Sequence, residues 1–118
     1  MSRTVLCIGS EALSLNHRCA FLREHGWRVL SSASGHEGIR RFTSEPADVV
    51  VVDLNGDGAE GALIAGELKR IRPKIPVIIL IAENDRLVEG ALDNANAVIP
   101  RGDHSQLLKA LLALAAND

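Results

Sequence analysis

Val49-Val50-Val51-Val52-Asp53-Leu54-Asn55-Gly56-Asp57-Gly58-Ala59-Glu60-Gly61 is the stretch that decides the fold. Four valines in a row, with no polar alternation, predict a strand covered on both faces. The strand, placed over Ala47 to Leu54, closes on a carboxylate, and the Asn-Gly and Asp-Gly pairs behind it turn the chain. A helix is expected from about Gly61 to Ile71, because the basic cluster Lys69-Arg70-Ile71-Arg72-Pro73-Lys74 sits where cations complement a helix C-terminus.

Outward from that stretch, the apolar rhythm alternates between two periods. Val5-Leu6-Cys7-Ile8 is a second short apolar run, stopped by Gly9-Ser10. A helical stretch follows, with Leu15, Cys19 and Leu22 on one face and an end near Gly26. Trp27 to Ala33 reads as a more polar strand nearer an edge. A short helix after Gly35 carries Ile39 and Phe42, and Pro46 closes it. Pro76 to Ala82 is another apolar strand, Asp85 to Asn94 a helix, Ala97-Val98-Ile99-Pro100 a last strand, and Ser105 to Ala116 a very apolar final helix.

Five strands alternating with five helices require parallel pairing with right-handed crossovers and helices on both faces of the sheet. At 118 residues the solution is one α/β domain over 1–118, a flavodoxin-like doubly wound five-stranded parallel sheet of order 2-1-3-4-5. Pro100 agrees with that order, since proline cannot donate a ladder hydrogen bond and belongs on an edge strand. Such sheets bind ligands at the carboxyl ends of their strands. Gly9-Ser10, Asp53, Ile81-Ala82 and Arg101 are therefore expected at one place.

These pieces resemble the receiver domains of two-component response regulators over essentially the whole chain. The stretch from Val49 to Gly61 looks like the family's strand ending in the phosphoacceptor Asp. Glu24-His25-Gly26-Trp27-Arg28-Val29 with Ala33-Ser34-Gly35 resembles its second-strand region, and Lys74-Ile75-Pro76-Val77-Ile78-Ile79-Leu80 its fourth strand. The resemblance makes Asp53 the phosphoacceptor candidate. It also exposes substitutions. The family's acidic pair, which helps hold magnesium, falls on Gly9 and Ser10, with Glu11 just beyond. Its Thr or Ser at the end of the fourth strand falls on Ile81, and its Lys-Pro pair on Arg101-Gly102. Counting back from the final helix would put Pro100 at the Lys position instead; the gapless strand Ala97-Val98-Ile99-Pro100 favours Arg101.

Phosphoryl transfer to a carboxylate brings an anion to an anion and needs compensating cations. Without the acidic pair the main magnesium ligands are gone, and Ile81 offers no hydroxyl. Arginine's planar fork does not replace a point charge, but Arg101 could lock Asp53 in a bidentate pair. The reading is a degenerate receiver, a pseudo-receiver, that signals by binding proteins with magnesium-dependent phosphorylation impaired. On this reading no enzyme activity is expected, with self-phosphorylation at Asp53 the one exception left open; no catalytic residues are expected, and no cofactor unless magnesium still binds. The alternatives are a working receiver phosphorylated on Asp53 by a histidine kinase, and a flavodoxin-like domain binding a small ligand. Asp53 to Gly58 imitates the start of an EF-hand loop, but Ile64 stands where the bidentate Glu is required. A weaker improvised metal site of Glu11, Asp53 and Asp57 remains an alternative to a plain turn.

Composition narrows the partners. The net charge of −2 carries no concentrated basic face, so direct nucleic-acid binding is not expected. Aromatics are only 3 % against 47 % hydrophobic residues, so the core must be aliphatic. Cys7 and Cys19 lie in apolar patterns and read as small buried hydrophobes. With no signal-peptide pattern and no bilayer-length segment, a cytoplasmic location away from membranes is expected. His17, His25, His36 and His104 have no metal-ligand spacing with a cysteine. In the final helix Leu108, Leu111, Leu112 and Ala115 suit the sheet, while Leu107, Ala110 and Leu114 form a surplus stripe. Leu107 and Leu114 are thus the expected surface for a homodimer or another signalling protein, a histidine kinase or an output domain.

Overall fold

The computed structural model describes residues 3–54, 59–82 and 93–115. The helix expected over Asp85 to Asn94 falls almost wholly on residues 83–92, and Asp57 on 55–58; both lie outside the described residues. Five strands form one parallel sheet: β1 (Thr4–Gly9), β2 (Arg28–Ser32), β3 (Val49–Asp53), β4 (Val77–Ile81) and β5 (Ala97–Pro100). Their order is β2-β1-β3-β4-β5, as expected, with Pro100 on the edge strand beside Ile81. Four helices are described: α1 (Ala12–Glu24), α2 (Gly35–Ser44), α3 (Ala59–Ile71) and α4 (His104–Ala115).

The two-residue side-chain period of each strand sorts the core into two layers. Val5 and Cys7 of β1, Val49 and Val51 of β3, and Ile78 and Leu80 of β4 pack with Leu15, Cys19 and Leu22 of α1 and Leu107, Leu111 and Ala115 of α4. Leu6, Ile8, Val50, Val52, Val77, Ile79 and Ile81 point to the other face, against Phe42 of α2 and Ala65 and Leu68 of α3. The valine run works because both faces of β3 are covered. On the second face α2 lies very close to the sheet: a Cβ built on Gly38 would sit 2.4 Å from Cδ1 of Ile8. Cys7 and Cys19 are free buried thiols, as expected. Contact with Cys19 and burial push the Cys7 thiol well above its ordinary range.

The local signals act where the sequence put them. Ser34 caps α2 by accepting from the Glu37 amide at 3.1 Å. Gly26, at φ 90°, turns the chain from α1 into β2 in a region that L side chains avoid. Asp103 begins α4 by accepting from the Gln106 amide at 2.9 Å. No helix among the described residues is long and apolar enough to cross a membrane.

The final helix corrects one expectation. Leu107 is 1 % exposed and sits in the core with Leu111 and Ala115, while Leu114 is half-buried and packs against the same cluster. Leu112, expected on the sheet, is 51 % exposed. Residues 107, 111 and 115 are spaced by four, so they share one helix face. The sheet-facing stripe is thus rotated by about one position from the expected one. Leu107 is a core residue and not a docking surface.

Candidate functional site

The strand ends converge as the topology requires. Gly9, the last residue of β1, is in register with Asp53, the last of β3. The Ser10 amide donates to the Asp53 carbonyl at 3.3 Å, and the Arg101 amide donates to the Ile81 carbonyl at 2.6 Å. Asp53, Gly9, Ile81 and Arg101 therefore gather at the carboxyl edge of the sheet. Arg101 follows β5 directly, and its side chain reaches the aspartate.

Asp53 is 6 % exposed, a carboxylate almost wholly removed from water. Such a charge is tolerated only with compensation. Two guanidinium groups supply it. Nε of Arg101 donates to Oδ1 at 2.6 Å, and Nη2 of Arg18 donates to Oδ2 at 2.7 Å. The bidentate Arg101 pair that the sequence suggested is replaced by two single-nitrogen bonds, because Arg18 claims the second oxygen. The three side chains carry a net charge of about +1.

Arg18 is the residue that sequence reasoning missed, and it is the deeper of the two cations. It is 2 % exposed, against 29 % for the Arg101 side chain. It comes from the sheet-facing stripe of α1, which reads Leu15, Arg18, Cys19, Leu22. That stripe is the i, i+3, i+4, i+7 pattern of a buried face with a charge in the second place. A cation inside a core stripe was the available signal. The clamp is incompletely satisfied: among the described residues, Nε of Arg18 and Nη2 of Arg101 are buried without a hydrogen-bond partner.

The remaining candidates contribute shape more than chemistry. Gly9 lets α1 close over the end of β1, for a Cβ there would meet Cδ1 of Leu15 at 3.3 Å. Ile81 is buried among the aliphatic side chains of the α2–α3 face. Gly102 is exposed, with nothing within 4 Å of a built Cβ. Glu11 caps α1, accepting from the Ser14 amide at 2.7 Å and the Leu13 amide at 3.2 Å. Its bonds from Ser14, side chain first and then backbone, hold its carboxyl below the usual range. Glu11 and Asp53, two of the three groups proposed as an improvised metal site, therefore both have their carboxylate oxygens engaged in the protein's own hydrogen bonds. Among the described residues, no three His, Cys, Asp or Glu side chains are grouped so as to hold a metal ion.

Comparison with known proteins gives a consistent neighbourhood. A family model described as the response regulator receiver domain matches residues 5–112. The transcriptional regulatory protein GlrR of Escherichia coli strain K12 is 34 % identical over 88 residues, covering 75 % of this chain and 18 % of GlrR. The chain thus spans under a fifth of that relative's length. A solved response regulator receiver domain from Clostridium thermocellum superposes with a TM-score of 0.83 at 28 % identity, covering 98 % of this chain and 94 % of that one. The response regulator TrrA of Thermotoga maritima, solved in complex with Mg2+–BeF, gives 0.86 at 20 % identity over 95 % and 98 % of the two chains, and shows the likeness of fold.

Proposed function

The chain belongs to the response regulator receiver domain family, and from that membership we propose that it is a pseudo-receiver, held in one state and acting through protein contacts. Receiver domains of two-component signalling pair with histidine kinases and output domains. The finer question is whether this one answers to phosphate. The observation that carries our reading is the engagement of both Asp53 oxygens by buried or half-buried guanidinium groups.

To accept a phosphoryl group, one Asp53 oxygen must attack phosphorus with its lone pair free and the incoming anion neutralised. Here both oxygens already accept charge-assisted bonds from guanidinium groups in a largely buried pocket, which lowers their nucleophilicity. Ile81 has no hydroxyl to take a phosphoryl oxygen, and Gly9 and Ser10 supply no carboxylate for a metal. Each missing part weakens the usual reaction independently. The partner class that fits is another signalling protein reading a fixed surface, with phosphorylation no longer the input.

The test is intact-mass spectrometry of the purified protein incubated with acetyl phosphate and magnesium. The expected spectrum shows the unmodified mass only. A gain of one phosphoryl group that disappears in Asp53→Asn would establish the working receiver and overturn the proposal.

A further inference from the structure

The arginine clamp has a second consequence, for metal binding, which rests on the pseudo-receiver reading and extends it to the residue responsible. Receiver pockets take magnesium, as the Mg2+–BeF complex of TrrA illustrates, and magnesium requires hard oxygen ligands in octahedral geometry. The residues at this pocket do not fit that ion. Gly9 and Ser10 carry no carboxylate, both oxygens of Asp53 accept from guanidinium groups, and the Glu11 carboxylate is spent on the α1 amides.

Ligand loss alone would leave an empty acidic corner. The structure shows a cation there instead. We propose that Arg18 is the built-in cation of this pocket: it neutralises Asp53 permanently and excludes divalent metal ions by its charge. Three observations support the assignment. The Nη2–Oδ2 distance of 2.7 Å puts a guanidinium charge in direct contact with an oxygen that an ion would have to ligate. The guanidinium is almost fully buried, so its field on a neighbouring ion is little screened by water. Among the described residues its Nε has no hydrogen-bond partner, so the group is held there at the cost of an unsatisfied donor, which a purely space-filling side chain would not incur. Arg101, more exposed and on the other oxygen, adds to the same repulsion.

The experiment separates the charge of Arg18 from the missing ligands. Gly9→Asp with Ser10→Asp restores two carboxylates; the Gly9 Cβ meets chiefly the flexible side chain of Leu15, and Ser10 is exposed. Three versions of the whole chain are compared on this background: Arg18 unchanged, Arg18→Lys, and Arg18→Met, which keeps the apolar stem without the charge. Urea unfolding confirms that each is folded, and Mn2+ binding is read from loss of the free-ion EPR signal.

The expected result is negligible binding wherever the positive charge is retained, with Arg18 unchanged or in Arg18→Lys, and Mn2+ affinity about tenfold or more higher in Arg18→Met. Equal affinity in all three, whether tight or undetectable, would overturn the assignment of Arg18. Tight binding in Arg18→Lys together with Arg18→Met would show that shape, not charge, excludes the ion, and would overturn it as well. None of these outcomes bears on phosphorylation of the unmodified chain, so the earlier proposal stands or falls on its own test.

Discussion

Removing the carboxylate at Asp53 should destabilise this protein strongly, and the sign of the effect is the informative part. In a pocket of clustered carboxylates, deleting one relieves repulsion. Here Asp53→Ala would strand Arg18, 2 % exposed, and Arg101 in a dry corner with no counter-charge. Breaking a buried pair from one side costs about 3–5 kcal/mol, because the partner is left uncompensated. A domain of this size is stable by roughly 6–18 kcal/mol, so the loss is a large fraction. With an m-value of about 1–3 kcal/mol per molar urea, the midpoint should fall by about 1–5 M. Trp27, the single tryptophan and 7 % exposed, reports the transition by fluorescence. Adding Arg18→Met to Asp53→Ala removes the more deeply buried of the two stranded charges and should recover about 1–3 kcal/mol. An Asp53→Ala protein within about 0.5 kcal/mol of the parent, or more stable than it, would refute the clamp.

Other outcomes follow from the same packing and hydrogen bonding. Leu107→Ala should cost about 2–5 kcal/mol in urea unfolding, whereas Leu112→Ala should stay within about 0.5 kcal/mol; equal effects would undo the register of α4. Ser32 is buried with its hydroxyl unpartnered among the described residues, so Ser32→Ala should leave stability unchanged or raise it by about 1 kcal/mol, and a clear loss would reveal a bond to that oxygen. The Glu11 carboxyl is lowered from 4.5 by its capping bonds. The folded value lies below the unfolded one, so the cap's contribution is complete above the unfolded value and disappears as pH falls through the folded one. Stability of the parent relative to Glu11→Gln should therefore decline on acidification below the ordinary carboxylate range; a pH-independent difference would count against the cap.

The sheet was readable from sequence because its signals are local and redundant. The valine run, the glycine stops and the edge proline each constrain the same topology, and the strand ends then had to meet. The helices were less legible. The last helix is apolar on nearly every side, so its periodicity left the buried face undetermined, and only packing against Val49, Val51 and Ile99 selected Leu107 over Leu108. Arg18 was missed for a related reason. Its place in the Leu15, Cys19, Leu22 stripe marks it as a buried position, but not what compensates its charge. Its burial depends on a partner 35 residues away, a relation that no local pattern contains. Asp53 and Arg101 were found because strand ends of this topology converge; Arg18 reaches the same point from the side.

The most direct test of a locked receiver is an amide nitrogen–proton NMR spectrum with magnesium added and then beryllofluoride, a phosphoryl mimic. The account predicts a well-dispersed spectrum that neither addition changes. Shifts centred on Asp53 and Arg101 that spread into α4 would show a pocket still able to bind and switch, and would contradict it.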